Sequence, residues 1–185
     1  MTIRKAYIED SLAITTYILL AMGDIIYQFI GEKDETKAKE CMLHFVEQLG
    51  NQYSYTNCWV LEDEGEIIAA ACVYDGAKLN MLRAPVLAYL KDEFNRTLTV
   101  KDETGEGEFY LDCLGVDPKH QGKGAGSKML LFLVEEYVRK QHLALGLLVD
   151  ENNPDAKRLY LKLGFGVVGV KTFAGKKMVH LQIRS

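Results

Sequence analysis

The chain contains 185 residues, of which 48% are hydrophobic, 26% are charged and three are proline. This composition is ordinary for a globular protein and excludes disordered and fibrous chains, and the length fits one domain because domains hold roughly 150 residues. The formal net charge of −4 argues against a broad nucleic-acid-binding surface, which would need clustered Lys and Arg side chains.

The N-terminal quarter of the chain is predicted to be mostly helical. A short strand is expected at residues 3–6, and Asp10 or Ser11 then offers an N-cap for a helix that runs to about Met22. A second helical stretch follows, and residues 34–49 alternate charged and apolar side chains at helical spacing. Three helices are therefore expected before the first β-rich run.

The apolar stretch at residues 12–30 resembles a signal or membrane-spanning segment. Asp24 lies in its middle, and a carboxylate at the centre of a bilayer costs about 2.5–3.5 kcal/mol. Two amphipathic helices broken near Gly23 are therefore expected, with no membrane partner. The cysteines are spaced neither as a zinc site nor as a disulfide framework. This spacing predicts that the thiols of Cys41, Cys58, Cys72 and Cys113 are buried. It also favours a reducing, cytoplasmic location for the protein.

The middle of the chain predicts a β-hairpin and a further helix. Two β-rich runs, NCWVLED and GEIIAAACVY, are separated by a turn signal at residues 63–65. Residues 80–98 are predicted to be helical, although Pro85 must start or kink the helix. The polar residues 101–107 are expected to form a mobile connector.

The C-terminal half alternates strands and helices more clearly. Asn153 is expected to cap one of its helices. The predicted elements are a strand at 108–116, a glycine-rich loop, a helix at 124–141, a strand at 143–149, a helix at 154–163 and strands at 165–173 and 177–184. Together with the N-terminal elements, this order predicts a mixed sheet with helices packed on its faces.

The sequence GVDPKHQGKGAGSKM, which begins at Gly115, places three alternate glycines before a predicted helix. A helix N-terminus leaves backbone N–H groups without partners and carries about half a positive charge, so a loop with few side chains there favours an anion. The spacing matches neither the G-x-G-x-x-G fingerprint nor the G-x-x-x-x-G-K-[ST] phosphate loop. For this loop alone, a turn that lets a strand pack closely on a helix is an equally good interpretation.

Three motifs in the same order, LGVDP, QGKGAG and NPDAKRLYLKLGF, together resemble those of the GNAT superfamily of N-acetyltransferases. The glycine loop of that family follows [RQ]-x-x-G-x-[GA], which Gln121, Gly124 and Gly126 match. The resemblance is strong over residues 108–165 and only architectural over the N-terminal half. It implies a GNAT fold of the α/β (α+β) class, with a mixed, mostly antiparallel central sheet, a splayed parallel strand pair and helices on both faces.

The resemblance also implies acetyl-CoA as the co-substrate. No metal is expected, because the four histidines do not have the spacing of metal ligands. Within a single domain, 1–185, residues 1–100 would carry the acceptor-side helices and the first hairpin, and residues 107–185 the acetyl-CoA-binding core. Backbone groups near the end of the first splayed strand would bind the pantetheine arm, and loop N–H groups would hold the diphosphate. The implied acetyl-CoA contacts are Leu114, Gly115, Val116, Gln121, Gly122, Lys123, Gly124, Ala125, Gly126, Ser127, Asn153 and Tyr160.

Acetyl transfer to an amine needs a group that accepts a proton. An amine with a pKa near 10.4 is only about 0.04% neutral at pH 7, which corresponds to about 4.6 kcal/mol. Strand alternation puts Glu108, Tyr110 and Asp112 on one side. With the resemblance, Asp112 becomes the first candidate for the base or amine ligand and Glu108 the second, although either carboxylate could instead face solvent or pair with a lysine. The resemblance also places Tyr160 where a phenol would protonate the leaving thiolate.

Direct transfer is the expected mechanism, because no Ser or Cys lies in a nucleophile motif and Cys113 is expected on the opposite, buried side of the strand. The acceptor would be a primary amine of a small molecule or peptide, in a pocket lined by the N-terminal helices, with Tyr17, Tyr27 and Phe29 among the candidates, and by residues 80–98. Acidic residues that would suit a cationic acceptor are Asp102, Glu103, Glu106 and Glu108. Alternatives that stay open are a protein N-terminus or lysine as acceptor, a CoA-sensing module without turnover, and a homodimer.

Overall fold

The computed structural model of the protein describes residues 1–185. Its strands are β1 (Thr2–Lys5), β2 (Cys58–Asp63), β3 (Glu66–Asp75), β4 (Phe109–Val116), β5 (Leu145–Asp150), β6 (Gly166–Phe173) and β7 (Lys176–Ile183). Its helices are α1 (Ser11–Met22), α2 (Ile25–Ile30), α3 (Glu35–Glu47), α4 (Leu79–Phe94), α5 (Ala125–Leu133) and α6 (Pro154–Lys162). A π-helical segment, Val134–Lys140, continues α5.

All seven strands form one mixed sheet in the order β1-β2-β3-β4-β5-β7-β6. Neighbouring strands are antiparallel except for β4 and β5, which are parallel. Helices α1 to α4 cover one face, and α5 and α6 cover the other. These observations confirm the predicted α/β fold with a mostly antiparallel sheet and helices on both faces.

A hydrophobic cluster on each face of the sheet holds the helices in place. On one face Ile14 and Met42 are completely buried, and on the other Met129 and Leu133 are completely buried. Each such side chain contributes about 1.5–3 kcal/mol by leaving water. Because helices lie on both sides, β3 is buried over most of its length, which explains its nearly continuous apolar sequence.

The first hairpin has the local geometry that its sequence predicts. Glu64 (φ 51°) and Gly65 (φ 86°) between β2 and β3 are both left-handed, as a two-residue type I′ turn requires. Pro85 lies inside α4 and does not start it. No helix in the chain combines the length and the apolarity needed to cross a membrane.

The predicted amphipathic pattern is wrong for α1. Leu12 and Leu20 on its outer side are 60% and 46% exposed, although Ile14 and Ile18 on its inner side are buried. Leu20 lines a cleft beside the sheet. This position explains its apolar side chain, and the helical pattern of the sequence does not predict it.

The middle of the segment 101–107, which was expected to be a mobile connector, is packed against the fold, although the residues on either side of it are exposed. Glu103 and Thr104 are only 3% and 4% exposed. Arg83 of α4 forms an ion pair with Glu103, and Lys171 Nζ donates to the Glu103 carbonyl oxygen at 2.8 Å. The buried carboxylate of Glu103 is tolerated because it has a buried cationic partner, which residue composition alone does not reveal.

Candidate active site

The glycine-rich loop joins the end of β4 to the start of α5. Gly122 (φ 72°) and Gly124 (φ 86°) are both left-handed, a conformation that other residues adopt at a cost of about 1–2 kcal/mol. Gln121 ties the loop to the strand, since its side-chain amide donates to the Val116 carbonyl oxygen at 3.0 Å. The glycines are therefore required by the backbone path of the loop.

The loop presents N–H groups that have no partner within the protein. The free donors are the backbone N–H groups of Gly122, Gly124, Ala125, Gly126 and Ser127. They cluster at the N-terminus of α5, where the helix dipole also favours negative charge. A Cβ on Gly126 would meet only Val116 Cγ2, at 3.6 Å, so the space beside this turn is open. The arrangement is suited to an anion such as a phosphate.

A cleft opens where β4 and β5 separate. The two strands pair only from Phe109 and Leu145 to Leu111 and Leu147. Beyond Leu111, the edge of β4 that faces β5 has no strand partner. The resulting cleft has a volume of about 390 Å³, and it brings together four of the predicted site residues, Asp112, Leu114, Asn153 and Tyr160.

Gly115 lets α1 lie directly on this part of β4. A Cβ at this position would be 2.0 Å from the carbonyl oxygen of Tyr17, a distance that no side chain can occupy. The glycine of the LGVDP motif therefore has a packing role, which is independent of any ligand.

Asp112 occupies a β-bulge at the inner end of the cleft. Cys113 pairs with Cys72 and Leu111 pairs with Val73, so Asp112 has no partner on β3. Its Oδ2 accepts hydrogen bonds from Tyr74 Oη at 2.8 Å and Gln52 Nε2 at 3.1 Å.

The environment of Asp112 favours its protonated form. Burial, and then the nearby Glu103 carboxylate, raise the pKa of Asp112 to about 7, although the hydrogen bonds from Tyr74 and Gln52 act in the opposite direction. A carboxyl group with this pKa can both accept and return a proton near neutral pH.

Glu108 lies outside the cleft. Its carboxylate accepts hydrogen bonds from Thr104 Oγ1 at 2.6 Å, His180 Nε2 at 3.0 Å and Gln182 Nε2 at 2.5 Å. Burial would raise its pKa, but these hydrogen bonds outweigh burial and lower it. It fills the space over Gly146, where a Cβ would be 1.8 Å from Glu108 Oε2. The structure therefore does not bring Glu108 and Asp112 together, because Glu108 precedes β4 and packs against β5 and β7.

The bulge also changes which residues of β4 share a side. Cys113 was expected opposite to Asp112, but it lines the cleft together with Asp112 and Tyr110. Strand alternation fails here because the bulge inserts one extra residue. The expectation of buried thiols is confirmed, since all four cysteines are buried and free.

Tyr160 and Asn153 reach the cleft from α6 and its N-terminus. Asn153 Oδ1 accepts a hydrogen bond from the Ala156 backbone N–H at 3.1 Å, which confirms its predicted role as N-cap. The ring of Tyr160 packs edge-on against Phe165 at 5.8 Å between centroids, and burial raises its pKa. Its hydroxyl is protonated at neutral pH and available to donate a proton.

Comparison with known proteins agrees with this geometry. The model of the acetyltransferase (GNAT) family matches residues 24–165. The chain belongs to the GNAT family. It is 36% identical over 85 residues to the spermine/spermidine N(1)-acetyltransferase of Bacillus subtilis, a match that covers 42% of this chain and 52% of that protein. The chain thus spans about half the length of this curated relative.

Solved structures of acetyltransferases share the whole fold. One described as an acetyltransferase is 29% identical, with a TM-score of 0.82 over 100% of this chain and 99% of the other. An acetyltransferase from Salmonella typhimurium, solved with acetyl-CoA, is 20% identical, with a TM-score of 0.58 over 100% and 93% of the two chains. This second likeness supports the fold alone.

In this GNAT protein, the individual residues that were predicted to line an acceptor pocket do not lie in the cleft. Tyr17 Oη donates to the Ile67 carbonyl oxygen at 2.6 Å, and both Tyr17 and Tyr27 line a separate hollow beside α1 and α3. Phe29 and part of α4 line a small cavity that shares Glu103 with the cleft.

The N-terminal helices α1 and α2 do line the cleft, but through residues that were not singled out from the sequence, namely Leu20, Ala21, Met22 and Ile25. Gln52 and Tyr74, the hydrogen-bond donors to Asp112, were also missed. Neither lies in a motif, and no local sequence signal distinguishes them.

Proposed function

We propose that the protein is an N-acetyltransferase that moves the acetyl group of acetyl-CoA to a primary amine, and that the amine is a small cation of the polyamine class. The observation that carries the proposal is the position of Asp112 in the same cleft as Tyr160, below the open edge of β4. The cleft is lined by three carboxyl side chains and one ammonium group, those of Glu103, Asp112, Asp150 and Lys176, and this balance suits a cationic acceptor even though Glu103 is paired with Arg83. The similarity to a spermine/spermidine acetyltransferase supports the same class.

In this proposal acetyl-CoA is held mainly by backbone groups. The free N–H groups of Gly122 and of Gly124 to Ser127 bind the diphosphate at the start of α5, whereas those of Gln121 and Lys123 donate within the protein. The exposed lysines of the loop add local positive charge. The open edge of β4 at residues 114–116 pairs with the pantetheine arm. Asn153 and Tyr160 border the same cleft from the α6 side.

The reaction would be a direct transfer. The neutral amine attacks the carbonyl carbon of the thioester, so the C–N bond forms and the C–S bond breaks. Asp112, directly or through one water, accepts the proton that leaves the amine nitrogen. Tyr160 donates its hydroxyl proton to the departing thiolate of coenzyme A. Glu108 has no part in this mechanism, because its carboxylate is occupied outside the cleft.

The acceptor class can be tested by thiol release from acetyl-CoA with a panel of amines at one pH. We expect spermidine, spermine and shorter diamines to give kcat/KM at least about 10-fold higher than monoamines of equal length, because a second ammonium gains about 1.4 kcal/mol or more near an additional carboxylate. Peptides with free N-termini or lysines serve as the competing class. Faster turnover of a peptide than of any polyamine would reject the polyamine proposal, and tight acetyl-CoA binding with no turnover of any amine would favour a CoA sensor.

The acid role of Tyr160 makes a separate prediction. Tyr160→Phe should lower kcat by about 10 to 10³-fold and leave the Kd for acetyl-CoA nearly unchanged, since only the proton donor is removed. Tyr89→Phe on α4 is the matched control, because Tyr89 packs against His44 away from the cleft. Equal kcat values for Tyr160→Phe and the parent protein with a good acceptor would eliminate the role.

A further inference from the structure

A buried ion pair lies directly behind the cleft. The side chains of Arg83 and Glu103 are only 8% and 3% exposed, and they contact each other. Arg83 Nη1 also binds Asp102 Oδ1 at 2.8 Å. Lys171 Nζ fixes the backbone of this segment from β6 by donating to the Glu103 carbonyl oxygen at 2.8 Å. Glu103 is therefore held in one place by two cationic side chains.

One hydroxyl connects this ion pair to Asp112. Tyr74 Oη lies 2.8 Å from Asp112 Oδ2 and 3.3 Å from Glu103 Oε1. A phenol has one hydrogen to donate, so two carboxylates share a single donor. Burial keeps Tyr74 a phenol, because it raises the pKa of the hydroxyl well above its ordinary value. The state of Glu103 therefore bears directly on the hydrogen bond that Asp112 receives.

Stability alone does not explain a buried ion pair in this position. Taking two charges out of water costs several kcal/mol per ion, and well-packed apolar side chains often do as well or better. Arg83 lies in α4 and Glu103 lies between α4 and β4, so neither residue belongs to the glycine loop or to a strand of the sheet. What the pair adds to the cleft is a fixed negative charge and a fixed positive charge beside Asp112.

The other titratable groups around Asp112 are either neutral or offset by a partner, so Arg83 and Glu103 are the dominant charges near it. Burial raises the pKa values of the neighbouring phenols, and the pKa of Cys113 is also raised by burial although a hydrogen bond with Cys72 opposes it. Across the cleft, Lys176 Nζ and Asp150 Oδ2 are 3.4 Å apart and offset each other. The facing groups are Tyr53, Tyr74, Tyr110, Cys113, Arg83, Glu103, Asp150 and Lys176.

We propose that Arg83 and Glu103 are positioning residues that tune Asp112 as a proton acceptor through the shared hydroxyl of Tyr74. The inference rests on the proposed role of Asp112 as the base. Glu103 and Arg83 act in opposite directions: the carboxylate disfavours a second negative charge on Asp112, and the guanidinium favours it. Removing the charge of Glu103, and then that of Arg83 as well, must therefore shift the titration of Asp112 in opposite directions.

The test compares Glu103→Gln, the double variant that adds Arg83→Met to it, and Arg83→Lys. Asp112 is titrated directly by NMR of protein labelled with ¹³C at aspartate carboxyl groups, with Asp112→Asn to assign its signal, and kcat/KM is measured over the same pH range. We expect the pKa of Asp112 to fall by about 1 in Glu103→Gln. It should be higher in the double variant than in Glu103→Gln, because the guanidinium is then removed with no carboxylate at position 103 to take up a proton, and Arg83→Lys, which keeps the charge, should stay near the parent.

The two readouts separate the inference from the proposed function. The expected shifts in the NMR titration without matching shifts in kcat/KM would support the tuning and reject Asp112 as the base. An unchanged pKa of Asp112 in Glu103→Gln, or equal pKa values in Glu103→Gln and the double variant, would overturn the tuning. Arg83→Met alone would leave Glu103 buried without its partner, so the guanidinium is removed only together with the Glu103 carboxylate.

Discussion

Asp112→Asn is expected to lower kcat/KM for acetyl transfer by about 10² to 10⁴-fold, the range for loss of a positioned general base. The substitution keeps the shape of the side chain, and its amide oxygen can still accept the hydrogen bonds from Tyr74 and Gln52. The bulge and the cleft should therefore persist. Acetyl-CoA affinity, measured by titration calorimetry, should change little, because the diphosphate and pantetheine contacts proposed above do not involve this carboxyl group.

The pH dependence makes the same prediction sharper. A base must be deprotonated to act, and the pKa of Asp112 is about 7. The kcat/KM of the parent protein should therefore increase as the pH rises through 7 and decrease as the pH falls below 7. Asp112→Asn should lose this inflection and retain only the dependence that comes from the acceptor amine itself. Glu108→Gln is the matched control, since its carboxylate lies outside the cleft, and it should keep the inflection. An Asp112→Asn profile with the inflection still near pH 7 would exclude Asp112 as the base.

Gly126→Asp is expected to weaken acetyl-CoA binding by about 10²-fold or more. Two unit charges of the same sign about 4 Å apart near a protein surface repel each other by about 4 kcal/mol at most, and salt screens part of this. A carboxylate at this position would face a phosphate held by the loop N–H groups. The backbone should tolerate the change, because a Cβ at Gly126 has only an ordinary contact with Val116.

Thermal unfolding supplies the complementary measurement. Gly126 lies in the first turn of α5, where a negative side chain stabilises a helix by about 0.3–1 kcal/mol. The free Gly126→Asp variant should therefore have the same melting temperature as the parent protein or a higher one, even though its affinity for coenzyme A is reduced. Gly126→Ser controls for side-chain size without charge. If calorimetry found equal Kd values for the Asp and Ser variants, the anion site would have to lie elsewhere.

Local sequence signals were sufficient for most elements of the fold and for the glycine-rich loop. The turn at Glu64 and Gly65 and the loop around Gly124 depend on residues that are adjacent in the chain, and their left-handed backbones follow from residue type. Asp112 was also predicted, as a carboxylate on a strand beside the loop. Family resemblance then supplied the role of each residue.

The surroundings of Asp112 could not be predicted in the same way. Tyr74 and Gln52 are 38 and 60 residues away from it in the chain, and only the packed structure brings them together. The bulge that reversed the expected side of Cys113 has no signal in the β4 sequence. Glu108 was overvalued because strand alternation does not show that a glycine on β5 leaves room for its carboxylate.

The glycine-rich loop and the surroundings of Asp112 differ in how their residues are distributed along the chain. The residues proposed to bind acetyl-CoA lie mainly in one short stretch of the chain. The residues around Asp112, in contrast, come from four separate segments and are Gln52, Tyr74, Arg83 and Glu103. Replacing the short stretch would alter donor affinity in one step. Redirecting the enzyme to a different amine would instead require coordinated changes in several distant segments, so engineered libraries for new acceptors should vary these segments together.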